Sequence, residues 1–388
     1  MNSFSVRPTV FFCQNALEHL SELKFKRAFI VTDPFMVKSG VIDKITMQLE
    51  KANIDYEIFS EIVPDPPIGT IAKGLKVMDA YNPEVVIALG GGSAIDATKA
   101  IIHFRGMVNK VLYPDKIVEK PEFIAIPTTS GTGSEVTSFS VITDRQKNVK
   151  YPLVEDNMIP EKAILDPDLV KSVPAKITAD TGFDVLTHAI EAYVSTNASD
   201  FSDALAEKAI KLVFEYLPKC YRNGDDELAR EKMHNASCIA GMAFTNSSLG
   251  INHSMAHILG GKFHISHGRA NAILLPYVIE YNANISTSHS GDNSLVAEKY
   301  AQIAKIIGIS NGNSRMAVKA LVNGIKNLLK SMDMPKNLKE TGIDSEEFKR
   351  ELKSLVEVAL KDGCTPTNPR IPSAEELEEL FIKAYNGI

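Results

Sequence analysis

The sequence has no surplus of positive charge: its 388 residues carry 42 Lys and Arg against 48 Asp and Glu, a formal net charge of −6. Gripping a phosphate backbone or an anionic lipid surface takes a basic face, and no basic run supplies one. Neither nucleic acid nor membrane is therefore an expected partner. Nothing approaches the roughly 18 uninterrupted apolar residues of a membrane helix. The opening MNSFSVRPTVFFCQ has no sustained apolar run, so a secretory signal is not expected. Cysteine is scarce, and Cys13, Cys220, Cys238 and Cys364 form no CxxC pair. That argues against a disulfide framework or a structural zinc knot, and for reduced thiols in the cytoplasm. Internal repeats and low-complexity tracts are also missing. What remains is an ordinary globular composition, 44% apolar and 23% charged, on a chain long enough for two domains.

The two halves have different rhythms. Up to about residue 165, short apolar runs rich in Val and Ile stop at Gly, Pro, Asp or Thr: AFIVTD (28–33), YEIFSEIV (56–63), VVIALGGG (85–92), FIAIPTT (123–129) and AILD (163–166). These read as strands. Helix-like stretches such as VIDKITMQLEKAN and IGTIAKGLKVMDAYN lie between them, and the alternation predicts a mostly parallel sheet covered on both faces. From about Pro174 the apolar residues recur every three or four, so the second half is expected to be wholly helical. Asp200 and Ser202 offer N-capping side chains ahead of one of these helices. The expected division is an α/β domain over 1–175 and an all-helical domain over 176–388.

GGGS at 90–93 follows the strand VVIAL and precedes the helical AIDATKAII. Glycines there let backbone N–H groups approach an anion, and the helix N-terminus adds its positive dipole end, so a pyrophosphate is the natural ligand. A tight strand-to-helix turn also uses glycines with no ligand, and this is not the GxGxxG pattern. PTTSGTGSEVT (127–137) is a second small-residue loop after a strand, rich in hydroxyls. Asp33 ends the strand AFIVTD, where a carboxylate suits an adenosine ribose 2′-OH and so NAD over NADP. It could equally cap the next turn.

GINHSMAHILGGKFHISHG (250–268) holds four of the nine histidines. His253 and His257 are four apart and share a helix face, on a helix expected to stop at Gly260–Gly261. His267 lies beyond that break, in position to fold back. GFDVLTHAIEAYV places Asp184 and His188 four apart on a second helix whose face should be buried. A buried Asp beside a buried His is costly unless something compensates both, and a metal does so. Each histidine taken singly is more often structural; together with the Asp they suit Fe(II) or Zn(II) with a position left open. His264 reads as a structural residue.

These segments, GGGSAIDATKA, PTTSGTGSEVT, the D-x3-H of GFDVLTHAIEAYVS, NHSMAHILGGKFHISHGRANAILLP and CTPTNPR, occur in the same order in the iron-containing (group III) alcohol dehydrogenases, which the chain resembles nearly end to end. Through KYPL, ASDFSDALAEKAIKLVF, KMHNAS and AGMAF the likeness is greatest to the propanol dehydrogenases of propanediol-utilisation bacterial microcompartments. The resemblance implies an N-terminal Rossmann-like dinucleotide domain and a C-terminal helical metal domain, the fold shared with dehydroquinate synthase. It implies Asp184, His188, His253 and His267 as metal ligands, for Fe(II) with Zn(II) as the alternative, and His257 as the histidine beside the nicotinamide. Asp33, Gly91, Gly92, Ser93, Asp96, Thr128, Thr129, Thr132, Thr137, Lys150 and Leu169 fall where the family binds NAD(H). Cys364 aligns with a cysteine near the family's pocket and is as readily a small core residue.

The activity implied is reversible hydride transfer between a short-chain primary alcohol and NAD+, running physiologically as reduction of propanal or acetaldehyde, with His257 as proton relay. A polyol substrate, such as glycerol or 1,2-propanediol, is the alternative; a non-catalytic scaffold is the remote one. A homodimer or higher homo-oligomer, with the N-terminal strand in the interface, and microcompartment proteins as further partners complete the expectation.

Overall fold

The computed structural model describes residues 3–115, 119–145, 149–284 and 294–387, with the side chains of 149 and 150 outside that description. The chain divides between Ser172 and Val173 into two compact units, three residues before the expected boundary. Phe4 groups with the second unit, where its ring stacks on Phe201 at 5.3 Å.

In the first unit the strands are β1 (Thr9–Phe12), β2 (Arg27–Val31), β3 (Asp55–Phe59), β4 (Val85–Gly90), β5 (Glu122–Pro127), a hairpin of β6 (Phe139–Asp144) and β7 (Val149–Val154), and β8 (Lys162–Leu165). The helices are α1 (Pro34–Lys38), α2 (Val41–Lys51), α3 (Ile68–Tyr81) and α4 (Gly92–Leu112). Six strands form one parallel sheet in the order β1-β8-β5-β4-β2-β3. Successive residues of a strand point to opposite faces, and here both faces are covered. Ala28, Ile30, Val85, Ile87 and Leu89 pack with Ile42, Ile45 and Leu49 of α2. Phe29, Val31, Val86 and Ala88 pack with Ile71 of α3 and with Ile95 and Ile101 of α4. Burial on two sides is why VVIAL reads as an unbroken apolar run. Strand β1, expected only as the N-terminal strand that the family resemblance implies, and the β6–β7 hairpin are additions to the strands read from the apolar runs.

The second unit holds α5 (Ala175–Val194), α6 (Asp200–Arg222), α7 (Glu227–Ser247), α8 (Ile251–Phe263), α9 (His267–Ala283), α10 (Leu295–Ile306), α11 (Ser314–Ser331), α12 (Ser345–Lys361) and α13 (Ala374–Asn386). Helix α5 runs through the middle and is buried at every residue from Gly182 to Val194. Two details differ from expectation. The N-cap of α6 is Ser199, in a reciprocal capping box with Ser202, and Asp200 is already the first helical residue. Helix α8 does not stop at Gly260–Gly261 but runs on to Phe263, ending where His264 turns left-handed at φ 56°. Glycine inside a helix costs only about 1 kcal/mol, which the packing of the flanking apolar residues outweighs. No helix among the described residues is long and apolar enough to cross a membrane.

Candidate metal centre and dinucleotide site

Three helices of the second unit contribute side chains to a single cluster, α5 a pair one turn apart and the other two one each. Asp184 and His188 come from α5, His253 from α8 and His267 from the first position of α9. One ligand atom from each lies within 4.8 Å of every other. Asp184 Oδ1 is 3.8 Å from His253 Nε2 and 3.4 Å from His267 Nε2, and the rings of His188 and His253 stack at 4.5 Å. Asp184, His188 and His253 are buried, while His267 is partly open to solvent. Burial alone would push the Asp184 carboxyl up; the surrounding His188, His267 and His253 reverse this and hold it well below the usual carboxylate range. A carboxylate and three imidazoles gathered in this way are a donor set for Fe(II) or Zn(II), so the residues fit a resident divalent metal.

The ligands are themselves held. Glu191, one turn beyond His188 on the same face of α5, hydrogen-bonds His253 Nδ1 and accepts from the Asn252 backbone N–H at 2.8 Å. With Nδ1 so engaged, Nε2 is the nitrogen that faces the cluster. Burial lowers the His253 pKa, but Glu191 and then Asp184 outweigh it and raise the ring to about 9. Asn252 donates to Asn271 Oδ1 at 2.9 Å, which turns the Asn271 amide so that Nδ2 donates to Asp184 Oδ1 at 2.7 Å. His267 is placed by its neighbours in sequence. Ser266 Oγ and the Arg269 guanidinium bond the Asp180 carboxylate at 2.8 to 3.1 Å, and Gly268 lets α9 approach the α5 backbone directly.

His257, one turn after His253, is outside the ligand set. Its ring stacks on that of His267 at 5.3 Å, its side chain is 45% exposed, and its Nδ1 lies 2.8 Å from Asp362 Oδ2. Asp362 also accepts from the Cys364 backbone N–H at 2.8 Å and from Ser254 Oγ at 3.2 Å. Burial raises the Asp362 carboxyl, but the bonds from His257 and Cys364 bring it well below its usual range. Cys364 is close by, within 4.8 Å of both; burial, then Asp362 and Glu191, push its thiol well above the ordinary range, so it is not a ready nucleophile. His264 is exposed at the end of α8 and takes no part in the cluster.

In the first unit, successive crossovers leave β2 and β4 in opposite directions along the sheet, so their carboxyl ends form a topological switch point, where open α/β sheets bind ligands. Asp33 follows β2 and Gly90–Gly92 closes β4. Gly90 needs to be glycine: its φ is +150°, and a Cβ would fall 2.7 Å from that of Ala94. Asp33 does cap the next turn, its Oδ1 accepting from Phe35 N at 2.8 Å and Met36 N at 3.1 Å. Its Oδ2 is turned instead toward Gly90, so capping and ribose binding are compatible.

The other residues expected at a cofactor site include an accessible rim, a buried support and the half-buried Asp96. Gly91 caps α4, Gly92 and Ser93 open it, and Thr129 and Thr132 lie against Gly91 and Gly92; all five are partly or fully accessible. Thr128, Thr137 and Leu169 are buried. Thr128 N donates to the Gly90 carbonyl at 3.0 Å, and Leu169 packs into the core on the α2 side of the sheet. Asp96 accepts from Ser134 Oγ at 2.6 Å and Val141 N at 3.0 Å. Lys150 lies in β7, and its side chain is outside the described residues.

Sequence reasoning missed Glu191, Asn271 and Asp362. Glu191 had a signal, since it extends the spacing of Asp184 and His188 by one more turn on the same face. Asp362, 105 residues from His257, had none.

Comparison with known proteins gives two family matches that together span nearly the whole chain. "Iron-containing alcohol dehydrogenase" matches residues 8–167 and "Fe-containing alcohol dehydrogenase family, C-terminal" matches 178–385. The 1-propanol dehydrogenase PduQ of Citrobacter freundii is 45% identical over 98% of this chain and 99% of its own. The aldehyde-alcohol dehydrogenase of Streptococcus pneumoniae serotype 4 is 44% identical over 97% of this chain, which spans only 45% of that protein's length. Among solved structures, the iron-containing alcohol dehydrogenase of Thermococcus thioreducens superposes with a TM-score of 0.89 at 34% identity, covering both chains completely. The sulfoacetaldehyde reductase of Bifidobacterium kashiwanohense, in complex with NAD+, does so with 0.85 at 29% identity over 99% of this chain and 98% of that one.

Proposed function

Because the chain belongs to the iron-containing alcohol dehydrogenase family, we propose that it interconverts a short-chain primary alcohol and its aldehyde with NAD(H), physiologically by reducing propanal or acetaldehyde. The observation that carries this reading is the gathering of Asp184, His188, His253 and His267 on three helices, with the exposed His257 one turn from His253. A divalent ion on those four ligands supplies Lewis-acid polarisation of the substrate oxygen, and the nicotinamide carries the hydride.

The protein's own contribution is position and proton traffic. Glu191 and Asn271 hold the ligands so that little reorganisation is needed when the ion binds. Asp362, ionised and therefore only an acceptor, requires the proton of His257 on Nδ1. That leaves Nε2 as the atom that takes up or returns the alcohol proton, the role of a general base in one direction and acid in the other. In the first unit, the α4 N-terminus and its glycines suit a pyrophosphate, and Asp33 suits a free ribose 2′-OH. Gly91, Gly92, Ser93, Thr129 and Thr132 are the residues assigned to direct contact, with Asp96, Thr128 and Thr137 shaping the loops beneath. Lys150 and Leu169 complete the assignment by family likeness alone.

Assembly as a homodimer or higher homo-oligomer, cytoplasmic residence and housing with microcompartment proteins belong to the same proposal, supported by the likeness to propanol dehydrogenases. The decisive experiment is anaerobic NADH oxidation with propanal after chelation, with Fe(II) or Zn(II) then restored. Activity returning with Fe(II) supports the metal, the cofactor and the reaction together. Stoichiometric metal binding with no propanal reduction, and turnover of glycerol or 1,2-propanediol instead, would move the chain to polyol chemistry.

A further inference from the structure

Lys99 is the least expected polar residue of the first unit. It lies two turns into α4 with no solvent exposure, yet it is a lysine on the helix that carries the glycine loop. Its ammonium has three N–H donors, and it has three acceptors: Ser134 Oγ at 2.9 Å, Thr137 Oγ1 at 3.0 Å and the Phe139 carbonyl at 2.8 Å. All three belong to the segment that continues the hydroxyl-rich loop after β5. Asp96, one turn earlier, holds the same segment through Ser134 Oγ and Val141 N, and Gly92, a further turn earlier, abuts Thr132. Thr132 Oγ1 in turn accepts from Ser134 N at 3.2 Å.

Gly92, Asp96 and Lys99 are spaced four and three apart, so they share one face of α4. They make a ladder on which the loop 129–139 is fastened alongside the helix N-terminus. Lys99 stands roughly 10 Å of helix rise below Gly92, too deep to meet a pyrophosphate bound at the helix N-terminus. Whatever it does for a cofactor it does through the loop. Its charge has company: Glu135 on the loop is also buried. Burial pulls the Lys99 pKa down to about 8, against Asp96 and Glu135, which raise it. In some proteins a buried ionic group is kept because its bonds fix a conformation that an apolar core would not.

We infer that Lys99 is a positioning residue for the dinucleotide: its three bonds set the loop 129–139 in the shape that presents Thr129 and Thr132 beside the glycine turn. The inference rests on the assignment of NAD(H) to this unit. Without the ammonium, Ser134 Oγ, Thr137 Oγ1 and the Phe139 carbonyl lose a common donor, and the loop is free to leave the helix. Cofactor affinity then falls, while the metal cluster, built entirely from the second unit, is unchanged.

The test is Lys99→Met in the metal-loaded full chain, with NADH binding followed by nicotinamide fluorescence and metal content and aldehyde kinetics measured alongside. The expected result is NADH affinity about tenfold weaker or more, with metal content retained, KM for NADH raised in step, and kcat at saturating NADH changed far less. A folded variant of lower melting temperature and wild-type NADH affinity would reduce Lys99 to a packing role and overturn the inference. If Lys99→Met does not fold, Ser134→Ala decides: it removes one rung, and unaltered NADH affinity in it overturns the inference equally. Failure of the wild-type protein to bind NADH is a different outcome, and it counts against the cofactor assignment itself.

Discussion

Gly268 meets α5 so closely that a Cβ on it would lie 2.0 Å from the Asp180 carbonyl oxygen and 3.3 Å from the Asp184 Cβ. The residue after one candidate metal ligand therefore touches the turn of helix that carries another. Backbone cannot yield as a flexible side chain can, so Gly268→Ala must push the start of α9 outward and take His267 with it. Overpacking of this kind costs about 1–3 kcal/mol. We expect lowered stability of the apo protein together with weaker metal binding, measured by urea denaturation and by competition with a chelator. A Gly268→Ala protein as stable and as metal-replete as the wild type would show that the contact relaxes without moving His267.

Glu191 stands behind a candidate metal ligand without belonging to the candidate set, through its hydrogen bond to His253 Nδ1. Glu191→Gln keeps the volume but replaces a charged acceptor of the His253 Nδ1 proton with a neutral amide. Outer partners of ligating histidines are typically worth roughly 10- to 100-fold in metal affinity, and that is the loss expected here, with secondary structure intact by circular dichroism. Equal affinity in the variant would mean that α8 alone orients His253.

In the proposed mechanism Asp362 sets the proton position on His257 through its contact with Nδ1. In Asp362→Asn the new side chain can offer an N–H to Nδ1, which reverses the imidazole tautomer, puts the ring proton on Nε2 and leaves the working face unable to accept another. Metal content should be unchanged and the rate reduced roughly 10- to 100-fold, with His257→Ala giving a similar loss. Retention of wild-type turnover by Asp362→Asn would remove His257 Nε2 as the proton carrier.

Glu135 gives a pH signature to the first unit. Burial raises its carboxyl from an ordinary 4.5 to about 7, partly opposed by a backbone hydrogen bond and by Lys99. Between those values the folded protein holds a proton that the unfolded chain has released, so this group's stabilising contribution is full at low pH and is lost as pH rises toward 7. Glu135→Gln abolishes that loss. The stability of the variant relative to the wild type, from denaturation midpoints, should therefore climb between about pH 5 and 7. Parallel curves across that window would mean that Glu135 is ionised in the native protein.

Much of this protein is legible in the sequence because a helix or strand writes its period locally. The VVIAL and FIAIP runs announce strands buried on both faces, and D-x3-H and H-x3-H announce that two ligands, or a ligand and its neighbour, share a face. Those statements need only 3.6 residues per turn and a two-residue pleat. Strand β1 is four residues long and the β6–β7 hairpin carries a proline at 152, so neither repeats long enough to stand out. Capping Ser199, in place of Asp200, lay within the ordinary uncertainty of a helix end.

The tertiary structure decided what stands opposite what. That α5 and α9 converge on one point depends on Gly268 against Asp180 and on Arg269 and Ser266 gripping the same carboxylate. No local period encodes those contacts, which join residues more than 80 positions apart. Asp362 behind His257 and Ser134 above Lys99 are of the same kind. The sequence by itself determined which side chains could carry the chemistry, because secondary-structure geometry is a property of neighbours along the chain. Packing alone decided which of them gather into the candidate metal cluster, which stand behind it and which, like His264, face solvent, because that choice is made by residues the chain brings back from far away.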